Sequence, residues 1–139
     1  MNMEECVFCR IVAGEIPSYK IFESRHAMAF LDVMPAAEGH SLVIPKKHFE
    51  TLTDAPETEL KEVIAAVQKI ARAIMKATNS EGFNVLQSNN RAAGQVVQHL
   101  HFHVIPRKQG DGLSFRWEHK RLLEKDAETL LEKTKKLLQ

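Results

Sequence analysis

The sequence predicts an α+β fold with a mostly antiparallel sheet, one long central helix and a C-terminal helix. Short segments with strand-like patterns fall on both sides of a single long amphipathic segment. A second amphipathic segment lies near the end of the chain. Strands that come first in pairs and are then divided by one helix favour an antiparallel sheet over a parallel one.

Five segments carry the patterns that are typical of strands: residues 18–23, 27–31, 41–45, 83–87 and 96–105. The first two alternate apolar and polar positions, and Ser24-Arg25-His26 between them predicts a turn. The third is a short apolar run that fits a buried strand. The last is the strongest strand signal in the chain, and the composition of residues 88–94 before it predicts a loop.

Three segments predict helices. Residues 6–13 resemble a short helical turn that ends at Gly14. Residues 54–57 predict the start of the long helix. Asp54 is a capping residue, Pro56 is a proline that an early helix position tolerates, and Glu57 is an acidic residue three positions after Asp54. Residues 126–138 predict the C-terminal helix, with leucines on one side. The long helix reaches about Ala77, and its apolar positions at helical spacing are Leu60, Val63, Ile64, Val67, Ile70, Ala71 and Ile74.

Composition limits the classes of function. The 139 residues have the size of one domain, which we expect to span residues 1–139. A net charge of +1 argues against a nucleic-acid binder and against a polybasic membrane-surface protein. No apolar run approaches the roughly 20 residues of a membrane span, and the acidic N-terminus does not resemble a signal peptide. We therefore expect a cytoplasmic protein that binds any phosphate-bearing ligand at a local site.

The most informative segment contains His99, His101 and His103. Residues two apart in a strand share a face and lie roughly 6.5–7 Å apart, so the three imidazoles are predicted to point one way. The apolar residues between them are free to pack into the core. A solvent-facing strand explains three alternating histidines poorly, and two chemistries remain open. All three bind one zinc ion with a vacant position for water, or one is a nucleophile that its neighbours assist.

Cys6 and Cys9 form a C-x-x-C pair, which supplies half of a tetrahedral metal site. In a chain without an export signal this pair indicates metal binding or redox chemistry. The βαβ pattern expected around a thioredoxin-like motif is missing, although two inert core thiols remain an alternative.

Four blocks of the chain, in order, are similar to those of a known family: residues 8–17, 29–32, 39–48 and 94–107. The last block contains the His-Leu-His-Phe-His run, and with Cys6 the resemblance covers residues 6–107. The chain resembles histidine-triad (HIT) proteins of the Hint-like branch, particularly its zinc-carrying bacterial members. The resemblance implies a HIT-like fold, a homodimer, and a purine nucleotide or nucleotide conjugate as the ligand.

The resemblance also assigns roles to the histidines. His101 would attack the α-phosphorus of a nucleotide and form a nucleotidyl-histidine, which water then hydrolyses. His103 would contact the phosphate and supply the proton that the leaving group needs. His40 matches the fourth histidine of the family and would support the other two.

Further positions are implied to bind the nucleotide. Asp32 would accept hydrogen bonds from both ribose hydroxyls, which suits an ionised carboxylate. Glycine permits a close backbone approach, so Gly94 and the Gln95 amide would face the phosphate. Ser88 and Val96 depart from the usual family residues, as does Asn90 at a position where glycine is common. The base pocket would be lined by Phe8, Ile11, Leu31 and Val33.

A structural zinc ion is implied by the same resemblance, with Cys6, Cys9, His48 and His99 as its four ligands. Such a closed site would hold the N-terminal segment to the sheet. His99 would then belong to the metal, and His101 and His103 to the chemistry.

The expected function is a nucleotide hydrolase similar to purine nucleoside phosphoramidases. A dinucleoside polyphosphate hydrolase, a nucleotide-binding interaction protein with low turnover, and a catalytic three-histidine zinc hydrolase are the alternatives. The resemblance covers the tail at 108–139 least. There we expect Trp117 to anchor the C-terminal helix, with a contribution to the active site of a second copy as the alternative.

Overall fold

A computed structural model describes residues 3–139 and shows an α+β fold. Five strands form one antiparallel sheet in the order β1-β2-β3-β5-β4. None of the described helices is long and apolar enough to cross a membrane. The elements are, in chain order, α1 (Val7–Val12), β1 (Lys20–Glu23), β2 (Ala27–Leu31), β3 (Ser41–Pro45), α2 (Glu57–Thr78), β4 (Gly82–Leu86), β5 (Phe102–Arg107) and α3 (Glu124–Leu137).

Both faces of the sheet centre are covered. Alternate residues of a strand point to opposite faces, and every residue of β3 is buried. Val43 packs on the side of α2, whereas Leu42 and Ile44 pack on the side of α1. The continuous apolar run at 41–45 follows from this double burial. Burying a side chain such as Ile44 contributes about 1.5–3 kcal/mol to stability.

The long helix α2 starts later than its sequence predicts. Asp54 does not cap it: its carboxylate accepts hydrogen bonds from the amide and hydroxyl of Thr51, at 3.0 and 2.7 Å, and closes the preceding turn instead. Pro56 occupies the cap position without a side-chain bond, and Asn79 ends the helix in the left-handed region. Ile64, predicted as part of the apolar face, is half exposed.

The last strand is shorter than predicted and lies further along the chain. The ladder begins at Phe102, whereas the sequence predicts a strand from residue 96. Residues 97–99 bend, and the Leu100 amide donates to the Phe49 carbonyl at 2.7 Å instead of to a strand. Only His103 of the three histidines therefore lies in β5. Phe102 is buried with Leu100 on the α2 side, so their predicted core position is confirmed.

The C-terminal helix forms close to its predicted bounds but has no buried residue. Its apolar side, which includes Leu130, Leu131 and Leu137, is largely exposed. Trp117 is 73% exposed, so the prediction that it anchors this helix to the same chain is wrong.

Gly39 allows the loop before β3 to approach the end of α2. Its φ is +85°, and a Cβ atom there would lie 2.7 Å from Thr78 Cγ2 and 3.0 Å from Ile74 Cγ1. Only glycine combines this backbone conformation with that close approach. Gly39 thereby sets the position of His40, the next residue.

Replacement of Gly39 is expected to destabilise the fold. We predict that Gly39→Ala lowers the free energy of unfolding by about 1–3 kcal/mol, because it adds a methyl group and strains φ. Urea denaturation would measure the change. Gly112→Ala is the matched control, since Gly112 has φ +75° but no atom within 4 Å of its Cβ position. Equal losses in the two variants would contradict the steric part of this explanation.

Candidate functional site

A cleft of about 590 Å³ opens on the face of the sheet that carries α1. It lies between α1, the end of β2 and the segment that leads into β5. The lining includes nine of the residues predicted from the sequence, namely Phe8, Ile11, Leu31, Asp32, Val33, Gly94, Val96, His101 and His103. It also includes Val7, Ile16, Pro17, Ser18, Phe30, Met34, Leu42 and Val97, which the sequence did not single out.

His101 is held by the backbone just before it. Its Nδ1 atom lies 2.7 Å from the carbonyl oxygen of His99, an acceptor, so Nδ1 carries the proton. The other nitrogen, Nε2, therefore keeps a free lone pair in the neutral ring. Phe8 packs edge-on against this ring at a centroid distance of 5.2 Å and limits its rotation.

His40 and His103 form a pair with a defined direction. The Ala36 amide donates to His40 Nδ1 at 2.9 Å, which leaves the proton of neutral His40 on Nε2. His40 Nε2 lies 2.9 Å from His103 Nδ1, so His103 accepts there and carries its own proton on Nε2. The ring centroids of His101 and His103 are 5.1 Å apart. A nucleophilic nitrogen and a proton donor are thus adjacent in the cleft.

Burial keeps these histidines neutral. Loss of hydration lowers the pKa of His103 to about 4, and the neighbouring His101 and His40 add to this effect. Burial also lowers the pKa of His40 and of His101, although the nearby Asp32 opposes the shift. Since a protonated imidazole has no lone pair for attack, neutrality at pH 7 favours nucleophilic chemistry.

Asp32 stands at the edge of the cleft beside this pair. One carboxylate oxygen accepts the Met34 amide at 2.8 Å, and the other lies 3.5 Å from His40 Nε2. Asp32, His40 and His103 are close enough to hold a metal ion. The Ala36 amide opposes metal binding here. If neutral His40 bound a metal through Nε2, its proton would lie on Nδ1 and would point at the N–H group of Ala36.

Two predicted nucleotide-binding residues do not line the cleft. The Gln95 side chain is buried, and both hydrogens of its amide are already donated to protein carbonyls. Ser88 follows β4 outside the lining. In the part of the chain that the structure describes, the amides of Val96 and Val97 have no hydrogen-bond partner and are available to a ligand. These backbone donors could not be found from residue type.

Cys6, Cys9, His48 and His99 meet in one cluster, as predicted. Cys6 Sγ lies 3.4 Å from His99 Nδ1, and Cys9 Sγ lies 3.3 Å from His48 Nδ1. The two imidazole Nδ1 atoms are 3.2 Å apart. Ligands on a tetrahedral zinc ion are separated by roughly 3.3–3.5 Å for nitrogen–nitrogen and nitrogen–sulfur pairs. The four side chains therefore fit a tetrahedral metal ion.

Hydrogen bonds and burial determine the protonation of this cluster. His99 Nε2 donates to the Pro45 carbonyl at 2.8 Å, which leaves Nδ1 free to ligate. Burial lowers the pKa of His99 to about 4. Burial and the adjacent Cys6 raise the pKa of the Cys9 thiol to about 12, so a bound cation would be needed to hold it as a thiolate. His48 has no corresponding hydrogen bond on its other ring nitrogen, because its buried Nε2 has no partner among the described residues.

Known proteins resemble this chain in sequence. The chain is 44% identical to the adenosine 5'-monophosphoramidase of Candida albicans over 117 residues, which cover 81% of this chain and 77% of that protein.

Solved structures share its fold over almost the whole chain. A protein from Streptococcus mutans UA159 matches with a TM-score of 0.94 and 38% identity, over 99% of this chain and 88% of the other. A zinc-bound histidine triad family protein from Mycobacterium smegmatis matches with a TM-score of 0.78 and 39% identity, over 98% and 97% of the two chains. The HIT domain itself matches residues 13–110. The chain belongs to the HIT domain family.

Proposed function

We propose that this chain is a nucleotide hydrolase of the Hint-like branch that acts on purine nucleoside phosphoramidates through a nucleotidyl-histidine on His101. The observation that carries the proposal is the fixed tautomer of His101, whose Nδ1 proton is bound by the His99 carbonyl. The named activity of the Candida albicans relative, adenosine 5'-monophosphoramidase, supports the same reaction class.

The reaction divides into two displacements at phosphorus. In the first, His101 Nε2 forms a bond to the α-phosphorus and the phosphorus–nitrogen bond breaks. His103 Nε2 donates its proton to the departing nitrogen, so that a neutral amine leaves. His103 is then an imidazolate, whose negative charge is balanced by the positive charge on the nucleotidyl-bearing ring of His101 and which accepts a hydrogen bond from His40 Nε2. In the second, water attacks phosphorus, His103 takes a proton from that water, and His101 is released. Both imidazoles end in their starting states, so atoms and charges balance.

The remaining lining residues suit the other parts of a purine nucleotide. Asp32 has an oxygen available for ribose hydroxyls. The free amides of Val96 and Val97 suit phosphate oxygens. The apolar wall of Phe8, Ile11, Leu31 and Val33 suits the flat base.

Charge in the cleft favours phosphoramidates over dinucleoside polyphosphates. Among the described residues that line it, none is lysine or arginine, and Asp32 contributes a negative charge. A polyphosphate bridge carries several negative charges and would find no cation there. A phosphoramidate carries fewer charges, which the neutral donors can bind.

We further propose that Cys6, Cys9, His48 and His99 hold one structural zinc ion. When bound, the metal would neutralise the thiolates and fix α1 to the segment around His48 and His99. His101 Nδ1 is hydrogen-bonded to the His99 carbonyl, and His103 Nδ1 is hydrogen-bonded to His40. These bonds argue against a catalytic zinc ion held by the three alternating histidines. The zinc-bound Mycobacterium smegmatis protein, similar over nearly the whole chain, supports a metal here.

We also propose a homodimer that forms through the edge strand β4. Phe83, Val85 and Leu86 are each 40% exposed or more on this strand. Its outer edge is unpaired, because only β5 pairs with it among the described strands. Unpaired, apolar strand edges favour association with another chain.

Replacement of the proposed nucleophile is expected to abolish turnover but not binding. For His101→Ala we predict a loss of at least about 10³-fold in kcat/KM for an adenosine phosphoramidate. AMP affinity should stay within a few-fold by calorimetry. Rapid quench and mass spectrometry should detect an adenylyl group on His101 in the wild type only. His119→Ala, in the exposed tail, is the control. Full activity of His101→Ala would refute the mechanism.

Removal of the two thiols is expected to remove the metal. We predict one zinc ion per chain in wild type purified with zinc, and none in the Cys6→Ser/Cys9→Ser variant, measured by atomic emission. Adding zinc to metal-free wild type should raise its Tm, since a ligand that binds only the folded state adds about 2.7 kcal/mol at 100 times its Kd. Zinc retained by the double variant would contradict the assignment, and His119→Ala should retain it.

A charge on the β4 edge is expected to separate the dimer. Val85→Glu should sediment as a monomer at concentrations where wild type is a dimer, because the glutamate would be buried between two apolar edges. Ile21→Glu places the same charge on β1, the other edge strand, at a residue of similar exposure and should remain a dimer. A wild-type monomer, or equal effects of the two changes, would exclude this interface.

A further inference from the structure

The side chain of Gln95 connects three backbone segments beside the cleft. It is only 4% exposed. Its Nε2 atom donates to the carbonyls of Glu50 at 2.7 Å and Val97 at 3.0 Å. Its Oε1 atom accepts the Asn90 amide at 2.7 Å. Both donor hydrogens are used, so this side chain serves the protein rather than a ligand.

Asn90 is held in a conformation that it would not adopt by itself. Its φ of 69° and ψ of 162° fall in a region that is essentially limited to glycine. Besides the bond to Oε1, its carbonyl accepts the amides of Gln95 and Ala93, each at 3.1 Å. Gln95 therefore binds Asn90 from both its backbone and its side chain, and these bonds oppose relaxation of the strain.

The loop that these bonds shape reaches the cleft. Gly94, Val96 and Val97 line it, on either side of the buried Gln95. The amides of Val96 and Val97 are the unpartnered donors of this segment among the described residues. Where these two amides point depends on the backbone of residues 94–97, and Gln95 ties that backbone to Asn90 and Glu50.

We propose that Gln95 is a positioning residue that aims the Val96 and Val97 amides at the phosphate of the nucleotide. This inference rests on the proposed function, because it names what these amides bind. Gln95 touches no substrate atom and acts through the loop. Its loss should weaken recognition of the phosphate and leave recognition of base and ribose intact, since Phe8 lies in α1 and Asp32 directly follows β2.

The test compares two ligands that differ only in the phosphate group. AMP and adenosine are titrated by calorimetry into wild type, Gln95→Leu and the exposed-surface control Gln109→Leu. For Gln95→Leu we expect the Kd of AMP to rise about tenfold and that of adenosine to change less than about twofold, since the leucine leaves two carbonyls and one amide without their partner. The control should match wild type for both ligands.

A second variant covers the case in which Gln95→Leu does not fold. Gln95→Met keeps the length of the side chain and adds no charge, but it loses the donor to Glu50 and Val97. It should weaken AMP binding in the same selective way. Hydrogen exchange at the bonded amides of Ala93 and Gln95 should become faster in either variant, while exchange in α2 is unchanged.

The outcomes separate this inference from the proposed function. Unchanged AMP affinity in the Gln95 variants overturns the positioning role alone. Equal weakening of AMP and adenosine also overturns it, because that result describes general structural support. If wild type binds neither ligand, the proposed function fails, and the positioning role fails with it.

Discussion

The site depends on the hydrogen bonds and contacts of a single buried residue, His99. Its Nε2 proton is donated to the carbonyl of Pro45 at the end of β3, which fixes the ring. Its Nδ1 atom lies within 3.5 Å of both cysteine sulfurs. Its carbonyl accepts the Nδ1 proton of His101. One residue therefore joins the sheet, the α1 segment and the proposed nucleophile, and displacement of its ring would disturb all three.

The same physical condition, burial of neutral imidazoles, gives the site its chemistry. Desolvation disfavours the charged form of each ring, so lone pairs and protons are distributed by hydrogen bonds rather than by pH. The Ala36 amide and the His99 carbonyl are backbone groups, and they set opposite tautomers in His40 and His101. His103 then lies between them with a proton to donate.

The two faces of the sheet have different roles. On one face α2 buries a continuous apolar cluster, which includes Leu100, Phe102 and Val104. On the other face α1 covers a smaller cluster around Phe8 and leaves the cleft open beside it. Leu100 and Phe102 pack against α2, whereas His101 and His103 face the cleft; within β5 this alternation of Phe102 and His103 follows from the strand geometry.

The sequence by itself determined the α+β class, the strands at 27–31 and 41–45, the long helix and the grouping of the two cysteines with His48 and His99. These features follow from apolar periodicity, from local residue types and from resemblance to a family. Only the tertiary structure decided that β5 begins at Phe102, that Asp54 closes a turn, that Trp117 is exposed and that Gln95 supports a loop. For Asp54 and Gln95, as for His101, the reason is the same. A side chain with several possible partners is assigned by whichever backbone groups lie nearest to it, and for His101, Gln95 and Asp54 those groups are carbonyls and amides, which have no signature in the sequence.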